Sequence, residues 1–377
     1  MSHIVIVGAG QAAGQAAASL RQGGFEGEIT LLGDEAYAPY QRPPLSKQYL
    51  AGELDADKVL LRPEAFYAGK DIDLRTGVRV TAIDRAAKSI STDNGDTLSY
   101  DQLLLATGGR PRELSIDGSD LEGIHYLRSI ADVDAIRAEM GSAKNMVIVG
   151  GGYIGLEVTS VAIEAGINVT VVEMEDRILK RVTTPTMSEF YHALHTDRGV
   201  QIELNRSVSG FTGDKRVSSV ICGDAAFDAD LVIVGIGILP NVELAEAAGL
   251  EIDNGIVVND HCRTSDPDIY AAGDCTNHPN PTLDRRLRLE SVPNAMEQSR
   301  VAVTNMTGGD KVYNAVPWFW SDQYDLKLQM VGFSTDGDTE VVRGDKSANE
   351  FAVFYLSGNT LVAADAVNSP REFMVCK

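Results

Sequence analysis

The sequence has 377 residues, of which 44% are hydrophobic and 23% are charged, and its formal net charge at pH 7 is −21. This length predicts two or three domains, and the composition is that of an ordinary soluble globular protein. The negative charge argues against nucleic acid and anionic membranes as partners, and no stretch reaches the roughly 20 apolar residues that a membrane span needs.

Cysteine and histidine residues predict no chemistry of their own. The four cysteines are scattered and include no C-x-x-C pair, so we expect reduced thiols, a cytoplasmic location and no dithiol relay. Because a first strand is predicted to begin at residue 3, no signal peptide is expected. His192 and His195 lie three residues apart without a third ligand, so they predict the surface of a helix and no metal site.

Two glycine-rich turns are the most informative motifs of the chain. Apolar strands at residues 3–7 and 146–149 lead into the turns, and each turn opens a helix rich in Ala, Leu and Val. Such a turn lets the backbone approach a pyrophosphate at the helix amino terminus, where free amides and the helix dipole favour anions. The residues that we expect to bind the nucleotides are Gly8, Gly10, Ala12 and Ala13 in the first turn and Gly150, Gly152, Tyr153, Ile154 and Gly155 in the second.

An acidic residue follows the second strand after each turn, as in dinucleotide-binding folds. Asp34 is expected to bind the ribose hydroxyls of the first nucleotide, and Glu35 is the rival candidate. Glu173 has the matching position in the second half, where a carboxylate accepts from the 2′-hydroxyl of NAD and repels the 2′-phosphate of NADP. Two such sites predict two dinucleotides, FAD in one and NADH in the other, with electrons passing between them.

The rest of the chain shows two further strand patterns. Apolar runs at residues 102–106, 230–237 and 268–274 predict buried strands, and two of them end in Ala106-Thr107-Gly108 and Gly273-Asp274. Such strand ends suit close backbone approach to a cofactor. A helix is expected at 294–307. From Pro317 onward, alternating polar and apolar residues predict an antiparallel sheet, with strands at 327–331, 340–343, 351–355 and 360–364.

Five longer motifs carry a family resemblance. They are residues 40–47 (YQRPPLSK), 106–111 (ATGGRP), 150–157 (GGGYIGLE), 290–295 (ESVPNA) and 317–324 (PWFWSDQY). With them the chain resembles, over essentially its whole length, the NADH-dependent, FAD-containing ferredoxin reductases of bacterial monooxygenase and dioxygenase systems. The resemblance implies an α/β fold with two Rossmann-like nucleotide-binding domains, arranged as in glutathione reductase, and a small α+β C-terminal domain with an antiparallel sheet.

The resemblance also implies domain boundaries. The FAD-binding domain is expected to be discontinuous, formed by residues 1–111 and 240–315. The NAD-binding domain is expected at 112–239 and the C-terminal domain at 316–377. Family members run some tens of residues further, so the C-terminal domain is expected to be truncated.

Several site residues follow from the resemblance. Lys47 and Glu157 are expected to pair beside the reactive nitrogen of FAD, where Lys47 stabilises negative charge on the reduced flavin. Arg42 and Arg128 are expected to contact the phosphates and adenine side of FAD, with surface salt bridges as the alternative. Asp274 is expected to bind the ribityl chain. The other FAD contacts that the resemblance implies are Val80, Val292 and Trp320.

These expectations describe an oxidoreductase that passes electrons from NADH through FAD to an acidic [2Fe-2S] ferredoxin, which serves an oxygenase. Two alternatives remain, an NADH oxidase or small-acceptor reductase such as a monodehydroascorbate reductase, and a redox-sensing flavoprotein. Because the chain is itself acidic, ferredoxin docking requires a local basic patch. The candidate residues for that patch are Arg285, Arg286, Arg288, Lys311, Lys327, Arg343 and Lys346.

Overall fold

The computed structural model describes residues 2–377, which divide into two compact units. The first unit contains the residues up to Gln41 together with Asp57–Arg110 and Leu239–Pro317. The second unit contains Arg42–Ala56, Pro111–Ile238 and Trp318–Lys377. The domain boundaries expected from the sequence stay a prediction. Residues 42–56, which that prediction assigned to the FAD-binding domain, pack within the second unit.

The secondary structure comprises strands, α-helices and three short 3-10 helices. The strands are β1 (His3–Val7), β2 (Glu28–Gly33), β3 (Ile72–Thr76), β4 (Val80–Asp84), β5 (Ser89–Thr92), β6 (Thr97–Ser99), β7 (Gln102–Leu105), β8 (Gly109–Pro111), β9 (Ile124–Tyr126), β10 (Asn145–Val149), β11 (Asn168–Val172), β12 (Gln201–Glu203), β13 (Gly210–Gly213), β14 (Val217–Cys222), β15 (Ala225–Asp228), β16 (Leu231–Val234), β17 (Ile238–Pro240), β18 (Ile256–Val257), β19 (Ile269–Ala271), β20 (Thr276–Asn280), β21 (Arg285–Leu287), β22 (Trp318–Gln323), β23 (Leu326–Gly332), β24 (Thr339–Asp345), β25 (Glu350–Ser357) and β26 (Thr360–Val367).

The helices alternate with these strands in the first two thirds of the chain. They are α1 (Gln11–Gln22), α2 (Ala56–Val59), α3 (Glu64–Ala68), α4 (Ile130–Met140), α5 (Tyr153–Glu164), α6 (Pro185–Thr196), α7 (Glu243–Ala247), α8 (Val292–Met306) and α9 (Pro370–Cys376). The 3-10 helices are Pro43–Ser46, Ser334–Asp336 and Lys346–Ala348. Among the described residues no helix is long and apolar enough to cross a membrane.

The first unit is built on a five-stranded parallel sheet in the order β19-β7-β1-β2-β3. Its central strands are continuous apolar runs, which is the pattern of strands that are covered on both faces. Helix α1 is rich in alanine, and these small side chains let α8 pack close to it. The Ser299 hydroxyl on α8 donates to the Ala12 carbonyl on α1 at 2.8 Å. Two smaller sheets, β4-β5-β6 and β18-β20-β21, complete the unit.

The second unit repeats the arrangement with a parallel sheet in the order β12-β11-β10-β16-β9. Strands β10 and β16 are again buried along their length or nearly so, and α5 follows β10 as α1 follows β1. A three-stranded antiparallel sheet, β13-β14-β15, packs against one face through a core that includes Val147, Phe211 and Val220.

The C-terminal part of the second unit is an antiparallel sheet in the order β22-β23-β26-β25-β24. Helix α9 covers part of it, where Phe373 lies 5.6 Å from Trp318 between ring centroids. Two parallel sheets that each carry a glycine turn, followed by this antiparallel sheet, confirm the predicted α/β fold class.

Candidate active site

The first glycine turn forms a cradle that fits a pyrophosphate. Gly8 has a φ of +107°, and a Cβ at this position would lie 2.2 Å from the Ala106 carbonyl oxygen, so no other residue fits. Gly10 is different, because a Cβ there would meet no atom within 4 Å. Helix α1 begins directly after Gly10, and no side chain caps it. Its first amides therefore have neither an intrahelical acceptor nor a capping side chain, and the space beside Gly10 is open, which suits an anion.

Other predicted FAD residues of the first unit converge on this turn. Strands β1, β7 and β19 are parallel neighbours, so their carboxyl ends lie at one edge of the sheet. A Cβ on Gly273 would lie 3.2 Å from the Ala12 Cβ, and the Gly273 amide donates to Gln298 Oε1 at 2.8 Å. The Thr107 hydroxyl donates to the Asn241 carbonyl at 2.7 Å, which fixes the segment 106–108.

The two acidic candidates after β2 have different environments. Asp34 is exposed and pairs with Arg79 at 3.1 Å, whereas Glu35 is half-buried and accepts a 2.5 Å hydrogen bond from the Tyr40 hydroxyl. Either carboxylate follows the strand that neighbours β1, so the choice between them stays a prediction.

Val80 and Val292 are predicted to contact FAD through their backbone amides, so the positions of their side chains do not test this prediction. Val80 begins β4 and packs its side chain against the core of the first unit. Val292 is the first residue of α8, whose Ser291 cap accepts from the Asn294 amide. The amide of Val292 is thus one of the early helix amides that have no intrahelical acceptor. Contact of these amides with FAD remains a prediction.

The second glycine turn has the same construction as the first. Gly150 has a φ of +105°, and a Cβ there would lie 2.5 Å from the Gly235 carbonyl oxygen. A Cβ on Gly155 would lie 2.4 Å from the Gly150 carbonyl oxygen, so this glycine lets α5 approach its strand. A Cβ on Gly152 would meet nothing within 4 Å, and α5 begins without a side-chain cap. A second pyrophosphate fits here for the same physical reasons.

Glu173 is held in one orientation by this second turn. Its Oε2 accepts from the Gly151 amide at 2.7 Å, and its Oε1 accepts from the Glu175 amide at 2.9 Å. Arg177, the nearby cation in sequence, donates instead to the Thr183 carbonyl at 3.0 Å and the Ser188 hydroxyl at 2.5 Å. The second turn therefore holds a carboxylate in a fixed orientation, and its preference for a 2′-hydroxyl over a 2′-phosphate stays a prediction.

The two residues after Gly152 point in different directions. The Tyr153 hydroxyl donates to Met330 Sδ at 2.8 Å, and the Tyr153 ring lies 5.2 Å from the ring of Phe319. Ile154 is 43% exposed, so an apolar side chain is presented to solvent at the start of α5. Their contact with NAD remains a prediction.

Lys47 and Glu157 form a buried ion pair within the second unit. Lys47 Nζ lies 2.8 Å from Glu157 Oε2, and the two side chains are 11% and 4% exposed. The Pro43–Ser46 turn places Lys47 there, and Lys47 Nζ also donates to the Pro43 carbonyl at 3.3 Å. The Glu157 carboxylate accepts from the hydroxyls of Ser46 at 2.5 Å and Ser321 at 2.6 Å. A buried charge pair needs such additional donors.

A polar chain continues from Ser321 into the protein. Gln323 Nε2 donates to the Ser321 hydroxyl at 3.2 Å, and Gln323 Oε1 lies 2.9 Å from His195 Nε2. His195 Nδ1 lies 3.0 Å from the Tyr324 hydroxyl. The prediction that His195 lies on a helix surface is wrong, because this face of α6 packs against the C-terminal sheet and leaves His195 fully buried. Burial lowers the pKa of His195 to about 4.

The remaining predicted FAD contacts also belong to the second unit. Arg42 Nη1 donates to the Arg128 carbonyl at 2.5 Å, so these two residues are adjacent. Trp320 is half-buried on β22, with Trp318 and Phe319 at centroid distances of 5.7 Å and 6.3 Å. Their roles toward FAD stay predictions.

Sequence reasoning missed several polar residues that the structure places at these sites. Ser46, Ser321 and Gln323 lie inside motifs that had been recognised, so their position in those motifs was the available signal. Asn241 and Gln298, which hold the segments around Thr107 and Gly273, gave no such signal.

Comparison with known proteins places these sites in a family. The pyridine nucleotide-disulphide oxidoreductase model matches residues 2–299, and the reductase C-terminal model matches residues 318–377. Putidaredoxin reductase of Pseudomonas putida is 46% identical over 378 residues, covering 98% of this chain and 90% of that protein. The ferredoxin–NAD(+) reductase component of the anthranilate 1,2-dioxygenase system of Burkholderia cepacia is 44% identical over 374 residues, covering 98% of this chain and 91% of that protein.

A solved structure shows the same fold. The crystal structure of the covalent putidaredoxin reductase–putidaredoxin complex matches with a TM-score of 0.96 at 45% identity, and the match covers 100% of this chain and 92% of that one. The chain belongs to the pyridine nucleotide-disulphide oxidoreductase family and also carries a reductase C-terminal domain. The resemblance seen in the sequence is confirmed, as is the expectation of an oxidoreductase that uses FAD and NAD(H).

Proposed function

We propose that this protein carries electrons from NADH through FAD to a [2Fe-2S] ferredoxin that serves a monooxygenase or dioxygenase. The observation that carries the proposal is the pair of glycine cradles, one in each unit, in a chain without a C-x-x-C motif. Electrons that enter such a chain from a nicotinamide have no dithiol to receive them, so they must leave from the flavin to an external acceptor. The names of the relatives support a ferredoxin as that acceptor and an oxygenase as its user.

The residues of the chain hold the cofactors and fix the charges around them. Bound FAD supplies hydride acceptance from NADH and release of single electrons, which connects a two-electron donor to a one-electron acceptor. The open spaces at Gly10 and Gly152 admit the two pyrophosphates, and Glu173 binds the NAD ribose. Lys47, held by Glu157, supplies a fixed positive charge that favours an anionic reduced cofactor.

A purified-protein assay separates this proposal from its alternatives. NADH is supplied with either a [2Fe-2S] ferredoxin, oxygen or the ascorbate radical, and turnover is measured for each acceptor. We expect fast reduction of the ferredoxin and slow reduction of oxygen and the radical. Fast turnover with oxygen or the radical would favour an oxidase or small-acceptor reductase, and no turnover with any acceptor would favour a redox-sensing flavoprotein.

A cytoplasmic location also belongs to this proposal. All four cysteines are free thiols, which suits a reducing compartment. Cell fractionation with an antibody to the protein tests the location, and recovery in the soluble cytoplasmic fraction is the expected result.

A further inference from the structure

We propose that His195, Gln323 and Ser321 act as positioning residues for the Lys47–Glu157 pair, through a hydrogen-bond chain in which every donor is directed toward Glu157. The chain starts on α6, crosses to β22 and ends on α5, so the C-terminal sheet supplies one of the two hydroxyls that donate to Glu157. The role of Lys47 in flavin reduction, on which the functional part of this inference rests, belongs to the proposed function.

The direction of the chain follows from the chemistry of its end at Glu157. An ionised carboxylate only accepts, so the Ser321 hydroxyl must donate its proton to Glu157 Oε1 at 2.6 Å. The lone pairs of Ser321 are then free to accept from Gln323 Nε2 at 3.2 Å. The amide of Gln323 is thereby oriented with its oxygen, which only accepts, toward His195 Nε2 at 2.9 Å.

The far end of the chain fixes the tautomer of His195. Nε2 must carry a proton, because its partner Gln323 Oε1 has none to give. Burial lowers the pKa of His195 to about 4 against the opposing effect of the Gln323 hydrogen bond, so the ring is neutral and Nδ1 is an acceptor. Nδ1 then accepts from the Tyr324 hydroxyl at 3.0 Å. Tyr324 is partly exposed, and Cζ of the Arg198 guanidinium lies over its ring, 4.3 Å from the centroid of that ring.

This chain is suited to orientation and not to proton transfer. A hydroxyl or an imidazole passes a proton by accepting one and releasing another, but an amide does so only through its unfavourable imidic acid form. Gln323 therefore interrupts any proton path between His195 and Glu157. Its amide instead links two donors in series, and the low dielectric of the interior strengthens such a series.

Each member of the chain is fully buried, so loss of one donor leaves an unsatisfied group next to the ion pair. Ser321, Gln323 and His195 all have no exposed surface. Without His195 the Gln323 oxygen has no partner, and rotation of the amide would remove the donor from Ser321. Ser321 would then be free to turn from Glu157. The Glu157 carboxylate would then no longer be held in one orientation beside Lys47, although neither Lys47 nor Glu157 is substituted in such a variant.

The test combines variants of His195 with a spectroscopic measurement. His195→Leu removes the donor to Gln323, and His195→Gln places an amide N–H near the position of Nε2. His192→Leu is the matched control, because His192 lies on the same helix and outside the chain. We expect His195→Leu to lower kcat for NADH-driven ferricyanide reduction about tenfold with KM for NADH within about twofold. His195→Gln should recover most of this rate, and His192→Leu should resemble the parent protein.

The spectroscopic measurement does not depend on turnover. Nitrogen-15 NMR of histidine-labelled holoenzyme, with His195→Gln used for assignment, should show the neutral Nε2–H tautomer of His195 from about pH 6 to pH 8. A protonated ring or the Nδ1–H tautomer would overturn the proposal, because the direction of the chain would then differ. An unchanged kcat in a folded His195→Leu protein would also overturn it.

A second variant covers the case in which His195→Leu does not fold. Ser321→Ala removes the last donor and fits the same space, and it should lower kcat to a similar extent. An unaffected Ser321→Ala enzyme would contradict the proposal. Ferricyanide replaces ferredoxin throughout, so failure of the parent protein to reduce ferredoxin would refute the proposed function and leave this inference standing.

Discussion

At the scale of single residues, Glu173 is the side chain that we propose to determine coenzyme choice. Its two oxygens are already engaged by the Gly151 and Glu175 amides, so the carboxylate is fixed before any nucleotide binds. We predict that Glu173→Gln narrows the preference for NADH over NADPH about tenfold, because it removes repulsion without adding a cation. Steady-state kinetics with both coenzymes measures this, with Glu164→Gln at the exposed end of α5 as the control. A parent protein that prefers NADPH would refute the assignment.

For Lys47, the proposed electrostatic role in flavin reduction can be separated from the contribution of the residue to stability. Lys47→Met leaves the Glu157 carboxylate buried without its cation, which we expect to destabilise the fold by about 3–5 kcal/mol. The double variant Lys47→Met with Glu157→Gln should recover much of that stability and still reduce the flavin slowly, because the positive charge is absent. Denaturant unfolding and anaerobic stopped-flow mixing with NADH measure the two effects. A double variant with the parent rate of flavin reduction would show that Lys47 is not needed electrostatically.

At the scale of elements, the glycine turns predict a sharp contrast between positions. Gly10 and Gly152 have φ values of −93° and −83°, which alanine adopts freely, and a Cβ there meets no protein atom. We therefore predict that Gly152→Ala leaves the thermal stability unchanged and raises KM for NADH at least about tenfold, because the methyl group occupies pyrophosphate space. Gly141→Ala, at an equally open glycine with a φ of −61° after α4, is the control. A normal KM in Gly152→Ala would mean that the nucleotide binds elsewhere.

The elements that sequence could predict are those with a local signal. Strands β1, β7, β10 and β16 are apolar apart from the first residue of β1, β7 and β10, and the glycine turns that follow β1 and β10 define their ends. Helix α4 was not predicted, although the Ser129–Asp132 capping box that begins it is readable in the sequence. Strands β14 and β15 are joined by Gly223-Asp224, a two-residue pair typical of hairpin turns, so this part of the β13-β14-β15 sheet also has a local signal.

Long-range polar contacts could not be predicted in the same way. Gln323 and His195 are 128 residues apart, and Ser46 and Glu157 are 111 residues apart. A histidine three residues from another on a helix looks like a surface residue until the strand that covers it is placed. The family resemblance predicts that Lys47 pairs with Glu157, but only the fold shows which groups satisfy their remaining hydrogen bonds.

At the scale of the whole molecule, the net charge of −21 constrains how an acidic partner docks. Overall attraction is excluded, so a local basic surface has to compensate. Within the proposed group, Arg286 is held by Asn277, Arg288 pairs with Glu290 and Lys327 lies 3.9 Å from Asp322, whereas Lys311, Arg343 and Lys346 are exposed. These three exposed residues are therefore the better candidates for the docking surface.

We predict that Arg343→Glu with Lys346→Glu weakens ferredoxin reduction several-fold and leaves ferricyanide reduction nearly intact. The loss should shrink as salt is added, since screening acts over about 10 Å at 0.1 M. Lys58→Glu with Lys70→Glu, two exposed lysines of the first unit, provides a charge-matched control. Equal loss of both activities would assign the residues to the fold or the flavin, and no loss would place docking elsewhere.

Electrons from NADH are proposed to leave this chain one at a time to a [2Fe-2S] ferredoxin. The most direct measurement is an anaerobic single turnover, in which the FAD-loaded protein receives one equivalent of NADH and is then mixed with two equivalents of oxidised ferredoxin. Electron paramagnetic resonance counts the reduced clusters. We expect nearly two reduced clusters for each NADH consumed and a reoxidised flavin. A flavin that stays reduced in the presence of ferredoxin and is reoxidised only when oxygen is admitted would contradict this proposal.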